Sequence, residues 1–306
     1  MIRIGVDIGG SHVGVGVIKN GNLIDMSGID LSKQDKQNIK EALVNHILEL
    51  INEVLDDTQL SISEIEMIGI AAPGTIKDNI IVKSPNLGLF KFDIISELQK
   101  TINLPMQIRN DSKCAAIAEK YYGSLKDADD CVFLCMGTGI GAAVFIGGKL
   151  LEPKRYAGFE IGHMVIVKDG LQCNCGKRGC FETYASMRAL KRNIAEVLEI
   201  DNDFTGRYLN EKLLDFNNEK IEKVIDEYLD YLKVGLCNII DIFEPEVISL
   251  GGSFAYYEDN PIFKKLLDKL KEPNSTYNQE SSPEIKVAKF KNDAGIIGAT
   301  VTLEEE

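Results

Sequence analysis

IRIGVDIGGSHVGVGVIKNGNLI, residues 2–24, holds two strand-like runs separated by a glycine turn. The runs cover residues 2–8 and 13–18, and Gly9-Gly10-Ser11 lies between them. Asn20-Gly21 follows, a dipeptide typical of two-residue β-hairpins, and Leu23-Ile24 begins another apolar run. The stretch therefore predicts three short strands joined by two tight turns.

The same pattern recurs 127 residues later in the chain. Gly10 aligns with Gly137, and Ser11 aligns with Thr138. The further matches are Gly14 with Gly141, Val17 with Val144, Gly21 with Gly148 and Leu23 with Leu150. A repeat of this length is too long for a solenoid. It predicts two related domains, each opening with a β-hairpin whose first turn is rich in glycine.

The rest of the chain mixes helical and strand patterns. Ile39–Leu55 places its apolar residues on one helical face, and Glu219–Phe243 also has a helical pattern. The other predicted elements are strands at Ile65–Ala71 and Glu246–Leu250 and helices at Ser112–Tyr121, Tyr184–Leu198 and Ala294–Leu303. Lys271–Pro283 is predicted to be a surface loop. Strands and helices mixed on this scale predict an α/β architecture.

The composition limits the classes of partner. The chain has 306 residues, of which 44% are hydrophobic and 26% charged, and its formal net charge is −13. So acidic a surface repels a phosphate backbone, and neither nucleic acid nor an anionic membrane is an expected partner. No export signal precedes the first strand-like run, and the uncharged stretch Cys131–Gly148 has two glycine clusters that favour two buried strands over a membrane span. We expect a cytoplasmic protein.

Both glycine turns are candidate phosphate-binding sites. Glycines permit φ > 0, so that successive backbone N–H groups converge on one anion, and Ser11 and Thr138 add hydroxyl donors. The candidate residues are Asp7, Gly9, Gly10 and Ser11 in the first turn and Gly137, Thr138, Gly139 and Gly141 in the second. Gly251 and Gly252, after a predicted strand, are a third candidate, placed to contact the nucleoside. Asp7 is a candidate for holding a phosphate-bound Mg²⁺. The alternative is that these are ordinary tight turns, in which glycine is common.

Three cysteines and one histidine have the spacing of a zinc site. Cys173, Cys175 and Cys180 follow His163 within a glycine-rich loop. Three thiolates and an imidazole are what tetrahedral Zn²⁺ prefers, and a full shell of four protein ligands is structural rather than catalytic. Disulfide pairing is the alternative, but it leaves one cysteine over. The other four cysteines (Cys114, Cys131, Cys135 and Cys237) are predicted to be reduced core residues.

Taken together, the motifs resemble a known family, the ROK family of repressors, open reading frames and sugar kinases. The resemblance extends from residue 7 to residue 299. The motifs that carry it are Asp7-Ile8-Gly9-Gly10, Ala72-Pro73-Gly74, Asn110-Asp111, Gly137-Thr138-Gly139-Ile140-Gly141, Glu160-Ile161-Gly162-His163, Cys173–Glu182 and Asn292–Ala299.

The resemblance implies the duplicated, ribonuclease H-like α/β fold of a two-domain actin-like ATPase, with the active site in an interdomain cleft. The smaller domain would comprise residues 1–112 and a C-terminal helix at 294–306. The larger would comprise residues 113–293 and carry the zinc loop. Relatives are commonly dimers, so a homodimer is expected.

The resemblance also implies the roles of individual residues in an ATP-dependent sugar kinase. Asp111 would be the general base for the attacking sugar hydroxyl. The residues matching sugar-binding positions are Asn86, Asn110, Glu160, His163 and Glu182. ATP and Mg²⁺ would be used in the reaction, whereas Zn²⁺ would be structural. The alternative role for Asp111 is that of a helix N-cap, because it precedes a predicted helix.

Several residues depart from the family pattern, and they leave the sugar open. They are His12, Ser112-Lys113 and Arg155-Tyr156. Glucose is the first choice, phosphorylated to the sugar 6-phosphate. The alternatives are N-acetylmannosamine, N-acetylglucosamine, mannose, fructose and allose.

Two other classes of function are alternatives to the kinase: a sugar-responsive repressor, and a non-catalytic sugar sensor or actin-like assembly ATPase. A sugar-responsive repressor would carry a DNA-binding module ahead of the first strand, where this sequence has only Met1. A non-catalytic sugar sensor would have no need of Asp111. An assembly ATPase would have little use for Glu160, His163 and Glu182.

Overall fold

The computed structural model describes residues 1–152, 159–271 and 282–303. Arg155, Tyr156 and most of the loop predicted at Lys271–Pro283 lie outside the described residues. The described chain forms two compact units. The first contains residues 1–126, 152 and 292–303, and the second contains residues 127–151, 159–271 and 282–291. The domain boundary expected after residue 112 falls inside a helix that belongs whole to the first unit.

The first unit contains two sheets. Its strands are β1 (Ile2–Ile8), β2 (His12–Lys19), β3 (Asn22–Asp30), β4 (Ile68–Ala72), β5 (Thr75–Lys77), β6 (Ile80–Ser84), β7 (Leu89–Phe92) and β8 (Met106–Asn110). The main sheet has the order β3-β2-β1-β4-β8, and β5, β6 and β7 form a small antiparallel sheet. In the main sheet β1, β2 and β3 are antiparallel neighbours, whereas β4 and β8 continue from β1 in parallel. Asn20 and Gly21 have φ of 52° and 80°, the left-handed pair that the predicted hairpin requires.

The helices of the first unit are α1 (Ile39–Thr58), α2 (Ile94–Leu98), α3 (Asp111–Tyr122) and α9 (Ala294–Ala299). The apolar face predicted on α1 is buried, including Leu43, Ile47 and Val54. That face packs with the main sheet in one hydrophobic core. Leu55, where the sequence pattern ends, is followed by three more helical residues.

The closing helix is shorter than predicted, which makes the expected helix at 294–306 wrong in its end point. It ends at Ala299 because long-range side chains bind the carbonyl groups that follow. Gln107 Nε2 donates to the oxygens of Ala299 and Val301 at 2.7 and 2.9 Å. Arg3 donates to the oxygen of Thr300 at 2.6 Å. These bonds hold the chain out of helical register after Ala299.

The second unit repeats the same sheet. Its strands are β9 (Cys131–Met136), β10 (Ile140–Ile146), β11 (Lys149–Leu150), β12 (Val247–Gly252) and β13 (Glu284–Val287), in the order β11-β10-β9-β12-β13. As in the first unit, the two hairpin connections are antiparallel and the next two strands are parallel. The uncharged stretch at 131–148 therefore forms two strands around a glycine turn, as predicted.

The helices of the second unit are α4 (Phe181–Ala185), α5 (Met187–Leu198), α6 (Gly206–Tyr208), α7 (Glu219–Phe243) and α8 (Pro261–Leu270), with a π-helical turn at Leu209–Leu213. The prediction for α7 is confirmed at both ends. The helix predicted at Tyr184–Leu198 is instead two helices separated by Ser186, whose hydroxyl caps α5 by accepting from the N–H of Ala189. Helices α5, α7 and α8 bury their apolar faces with the sheet in a second core.

None of the helices in the described ranges is long and apolar enough to span a membrane.

Candidate active site

The first glycine turn connects β1 to β2. The N–H of Gly9 donates to the carbonyl oxygen of His12 at 2.8 Å, and the oxygen of Ser11 accepts from the N–H of Leu31 at 2.8 Å. Neither Gly9 nor Gly10 has a positive φ, so the conformational reason given for these glycines was wrong. Gly10 instead provides space. An added Cβ would have no non-adjacent atom nearer than Cβ of Asn86, at 3.9 Å.

The second glycine turn connects β9 to β10 and has a similar opening. The N–H of Gly137 donates to the oxygen of Gly139 at 2.9 Å. An added Cβ at Gly137 would have Ser253 Oγ, at 4.0 Å, as its nearest non-adjacent atom. Gly137 and Gly139 also lack a positive φ, while Gly141 lies within β10. Both turns therefore leave room for a ligand against the backbone.

The third candidate, Gly251-Gly252, lies at the end of β12. Gly252 pairs with Met136 of β9, directly before the second turn, and has a φ of 63°. The left-handed backbone that the sequence analysis expected of the first two turns is found here instead, at Gly252. The close packing of Gly251, where an added Cβ would lie 2.4 Å from the ring of Phe133, gives that glycine a structural reason.

Two carboxyl groups of the first unit influence each other. Asp7 lies near the end of β1, and Asp111 is the first residue of α3. Burial and the negative charge of Asp111 together raise the pKa of Asp7 to about 7, against a lowering contribution from His12. Burial also raises the pKa of Asp111, partly offset by a hydrogen bond from the N–H of Ser112 at 2.7 Å. Two carboxylates that repel each other could both be ligands of one Mg²⁺ ion. Mg²⁺ prefers carboxylate oxygen, and its charge removes the repulsion.

Helix α3 is capped by Asn110 and not by Asp111. Asn110 Oδ1 accepts from the N–H of Lys113 at 3.3 Å, and its Nδ2 donates to the oxygen of Gly74 at 3.0 Å. The alternative role of Asp111 as an N-cap is therefore wrong, since that role falls to its neighbour. Asp111 is left free of the capping function at the positive end of the helix.

The predicted zinc ligands lie together in the second unit. The ligand atoms of His163, Cys173, Cys175 and Cys180 are all within 4.8 Å of one another. Cys175 Sγ lies 3.6 Å from Cys180 Sγ, and Cys173 Sγ lies 3.6 Å from His163 Nδ1. Tetrahedral zinc with bonds of about 2.0–2.3 Å separates its ligands by roughly 3.5–3.8 Å. The four groups therefore fit a zinc ion in donor type and in spacing.

The backbone of the loop explains why the ligands converge. The N–H of Cys173 donates to the oxygen of Lys177 at 2.9 Å, and the N–H of Gly176 donates to the oxygen of Cys173 at 3.0 Å. Gly176 and Gly179 have φ of 92° and 81°, which allow the chain to reverse twice within four residues. Burial raises the pKa of Cys173 to about 12, and its thiol donates to Glu182 Oε1 at 3.3 Å.

Glu182 connects the zinc cluster to the second glycine turn. Its Oε1 lies 3.5 Å from His163 Nδ1, and its Oε2 accepts from the N–H of Ile140 at 3.4 Å. Glu160 precedes the short turn that carries His163, and its carbonyl oxygen accepts from the N–H of His163 at 2.9 Å. The structure thus brings Glu182 and His163 into contact, whereas Glu160 is linked to them through the backbone.

One residue at the second turn was missed by the sequence analysis. Arg188 Nε donates to the oxygen of Thr138 at 2.8 Å, across 50 positions of the sequence. The feature that could have identified Arg188 is its position two residues after Ser186, the residue that caps the start of α5.

Comparison with known proteins finds similarity to sugar kinases and to a repressor. The chain is 31% identical to the glucokinase of Thermotoga maritima over 99% of this chain and 97% of that protein. It is 30% identical to the xylose repressor of Bacillus subtilis over 82% of this chain and 64% of that protein. The structure of the ROK hexokinase from Thermus thermophilus superposes with a TM-score of 0.79 at 27% identity, covering 98% of this chain and 96% of that one.

The fold is the expected one, an α/β actin-like ATPase fold with open sheets. The sequence pattern of the ROK family matches residues 3–306, which is nearly the whole chain. The protein is a member of the ROK family.

Proposed function

We propose that the protein transfers the γ-phosphoryl group of ATP to a free hexose, with glucose as the first choice and the sugar 6-phosphate as the product. The observation that carries this proposal is the coupled pair of carboxyl groups, Asp7 and Asp111, beside an open phosphate-type turn. A glucokinase that is similar over the full length of the chain supports the same class of reaction.

Asp111 is the proposed general base. Its carboxylate accepts the proton of the 6-hydroxyl as the oxygen attacks the γ-phosphorus, and the bond to the β-phosphate oxygen breaks to release ADP. The raised pKa of Asp111 suits this role, because a base is most effective when its pKa approaches the working pH. Asp7 would hold Mg²⁺, whose charge offsets that of the phosphates.

The proposed sugar contacts are Asn86, Asn110, Glu160, His163 and Glu182. Amides, carboxylates and an imidazole complement the alternating donors and acceptors of sugar hydroxyls. Zn²⁺ held by His163, Cys173, Cys175 and Cys180 would fix the loop that carries Glu182 and take no part in the chemistry. A cytoplasmic homodimer is part of the same proposal.

N-acetylmannosamine, N-acetylglucosamine, mannose, fructose and allose remain alternative substrates. The second candidate function is a sugar-responsive regulator, favoured by the similarity to a xylose repressor. A net charge of −13 opposes DNA binding, and a buried pair of carboxyl groups has no use in a pure sensor.

The test is ADP production with ATP, Mg²⁺ and a panel of free hexoses and N-acetylhexosamines, for the natural protein and for Asp111→Asn. We expect one sugar to stimulate turnover and Asp111→Asn to lower kcat by about 10²–10⁴-fold with sugar affinity retained. The control is Asp57→Asn, which changes an exposed carboxylate of α1 and leaves kcat unchanged.

Near-normal turnover of Asp111→Asn would remove Asp111 as the base. If no sugar stimulated ADP production from ATP by folded, zinc-loaded protein, the regulator would become the better interpretation. Binding of a sugar without turnover, measured by calorimetry, would support the regulator directly.

A further inference from the structure

Arg188 is tied to the second glycine turn by two hydrogen bonds. Its side-chain Nε donates to the oxygen of Thr138 at 2.8 Å, and its backbone N–H donates to the oxygen of Gly137 at 3.2 Å. The position of Arg188 as the second residue of α5 is fixed by the Ser186 cap. The helix therefore begins directly against the turn, and the guanidinium group is anchored there through Nε.

The guanidinium group has more donors than the turn uses. Among the described residues neither Nη1 nor Nη2 of Arg188 has a hydrogen-bond acceptor, and its side chain forms no ion pair with a described carboxylate. Covalent geometry holds both Nη nitrogens next to Nε, so they lie beside the turn. An arginine fixed at Nε presents a planar pair of donors that matches phosphate oxygens.

Arg192, one helical turn later, shows the contrast. Its Nη2 donates to the oxygen of Thr183 at 3.1 Å and its Nε donates to Asn193 Oδ1 at 3.0 Å. That arginine is used by the fold. Arg188 is exposed, positioned and left with free donors.

Side chains of opposite charge contact different residues of the second glycine turn. Glu182 Oε2 lies 3.4 Å from the N–H of Ile140 and would lie 2.5 Å from a Cβ at Gly139. Arg188 contacts the first two residues of the turn, where it donates to the carbonyl oxygens of Gly137 and Thr138. A polyanion on this turn is attracted to the Arg188 side and repelled from the Glu182 side, whereas a sugar hydroxyl can donate to Glu182.

We propose that Arg188 binds the phosphate chain of the nucleotide through its Nη groups. The inference rests on the proposed function and adds a binding residue to it. Because Arg188 is bonded to the second glycine turn, a candidate phosphate-binding site, and its Nη groups remain available there, the ligand class is a nucleoside diphosphate or triphosphate. The nucleoside itself makes no use of Arg188.

The test is calorimetric titration of the full chain with adenosine, AMP and ADP in the presence of Mg²⁺. The variants are Arg188→Gln, Arg188→Lys and the control Arg192→Gln on the same helix. We expect Arg188→Gln to weaken ADP binding about tenfold or more, AMP binding less and adenosine binding less than about twofold. Arg188→Lys keeps the charge but loses the planar fork, so its loss is intermediate. Arg192→Gln leaves all three affinities unchanged.

Equal losses for adenosine, AMP and ADP would overturn the proposal, because they would show that Arg188 only maintains the turn. Unchanged ADP affinity in Arg188→Gln, with a natural protein that binds ADP, would also overturn it and leave the kinase proposal intact. A natural protein that binds no adenine nucleotide would overturn both. Thermal melts show whether each variant is folded, and Arg188→Lys serves if Arg188→Gln is not.

Discussion

The two main sheets have the same strand order and directions, yet they carry different chemistry at equivalent positions. In the first unit Asp7 pairs with Gly14 on β2 and Ala71 on β4. In the second unit Cys135 pairs with Gly141 on β10 and Gly251 on β12. Gly141 is also the partner of Gly14 in the sequence repeat, so Cys135 is the structural counterpart of Asp7. A cysteine thus stands where the first unit has an acid whose pKa is strongly raised.

This difference shows that the two units share their backbone arrangement but not the charged side chains placed on it. Both units keep a hairpin with an open glycine turn, where an added Cβ at Gly10 or Gly137 would have no non-adjacent atom nearer than 3.9 Å. The first unit adds two buried carboxyl groups. The second unit inserts the zinc loop and three further helices between β11 and α7, and this insertion brings Glu182 and Arg188 to the turn.

The largest effect should come from removing a ligand of the proposed zinc site, because the loop of the second unit would lose the ion that holds it together. Cys175 is exposed, so Cys175→Ser removes a ligand without creating a cavity. We expect loss of bound zinc and a fall of about 4 kcal/mol in the free energy of unfolding of the second unit. Metal analysis and amide hydrogen exchange would measure both.

The control for the zinc variant is Cys237→Ser, a half-buried cysteine on α7 of the same unit. It should keep its zinc and its stability within about 1 kcal/mol. Faster hydrogen exchange in β1, β2 and β4 of Cys175→Ser, equal to that in β9 and β10, would contradict the separation of the two units.

The next largest effect should come from adding a methyl group between packed helices. The loss in the free energy of unfolding should be greater in the first unit than in the second. A Cβ at Gly298 of α9 would lie 1.7 Å from the backbone oxygen of Cys114 on α3, which cannot move away alone. A Cβ at Gly235 of α7 would lie 2.2 Å from the ring of Phe181, a side chain that can shift. We expect Gly298→Ala to cost about 3 kcal/mol and Gly235→Ala about 1–2 kcal/mol, measured by urea unfolding. A reversed order would mean that α9 adjusts more easily than the α4–α7 contact.

The sequence was sufficient for local features of both units. The hairpins, the full length of α7 and the zinc cluster follow from short-range patterns, the duplication follows from the recurrence of one such pattern, and each lies where it was predicted. The features that were wrong or missed depend on contacts between distant residues. α9 ends early because Gln107 binds carbonyl groups 192 and 194 positions away, and Arg188 reaches Thr138 across 50.

Backbone angles in the turns were the other error. Gly10 and Gly137 suggested φ > 0, but a glycine is also required wherever a Cβ would occupy ligand space, and sequence alone does not separate the two reasons. The cap of α3 was misassigned for a related reason. Asn110 and Asp111 are both good N-caps, and only the fold decides which of them begins the helix.

The charge difference between Asp7 and Cys135 predicts a pH effect on stability. The pKa of Asp7 is about 7 in the folded chain and near 3.8 when unfolded, so the folded state binds this proton more tightly. The free energy of unfolding therefore falls as pH rises from about 4 to about 7 and is level above that. Burial is the main cause of the raised pKa and the charge of Asp111 adds to it, so a neutral side chain helps only where Asp7 would be ionised. We expect Asp7→Asn to add about 2 kcal/mol to the free energy of unfolding at pH 8 and almost nothing at pH 4.

Urea unfolding at several pH values would measure this effect, with Cys135→Ser as the matched change in the second unit. That variant should follow the pH dependence of the natural protein. An Asp7→Asn variant that is no more stable at pH 8 than at pH 4, relative to the natural protein, would show that the Asp7 carboxyl is not strained by its surroundings.

The smallest effect on stability should come from the two turns themselves, and it tests whether they remain equivalent. Gly10→Ala and Gly137→Ala each place a methyl group with no non-adjacent atom nearer than 3.9 Å, and neither backbone is left-handed. We expect changes below about 0.5 kcal/mol in the free energy of unfolding. The methyl group occupies the space proposed for phosphate, so both variants should weaken ADP binding several-fold. Gly206→Ala, which adds a methyl group in open space at the start of α6, should leave ADP binding unchanged. If only Gly137→Ala weakened ADP binding, both turns would have kept their shape but only the second would bind phosphate. Asp7 and Asp111 would then act on the sugar and not on the nucleotide.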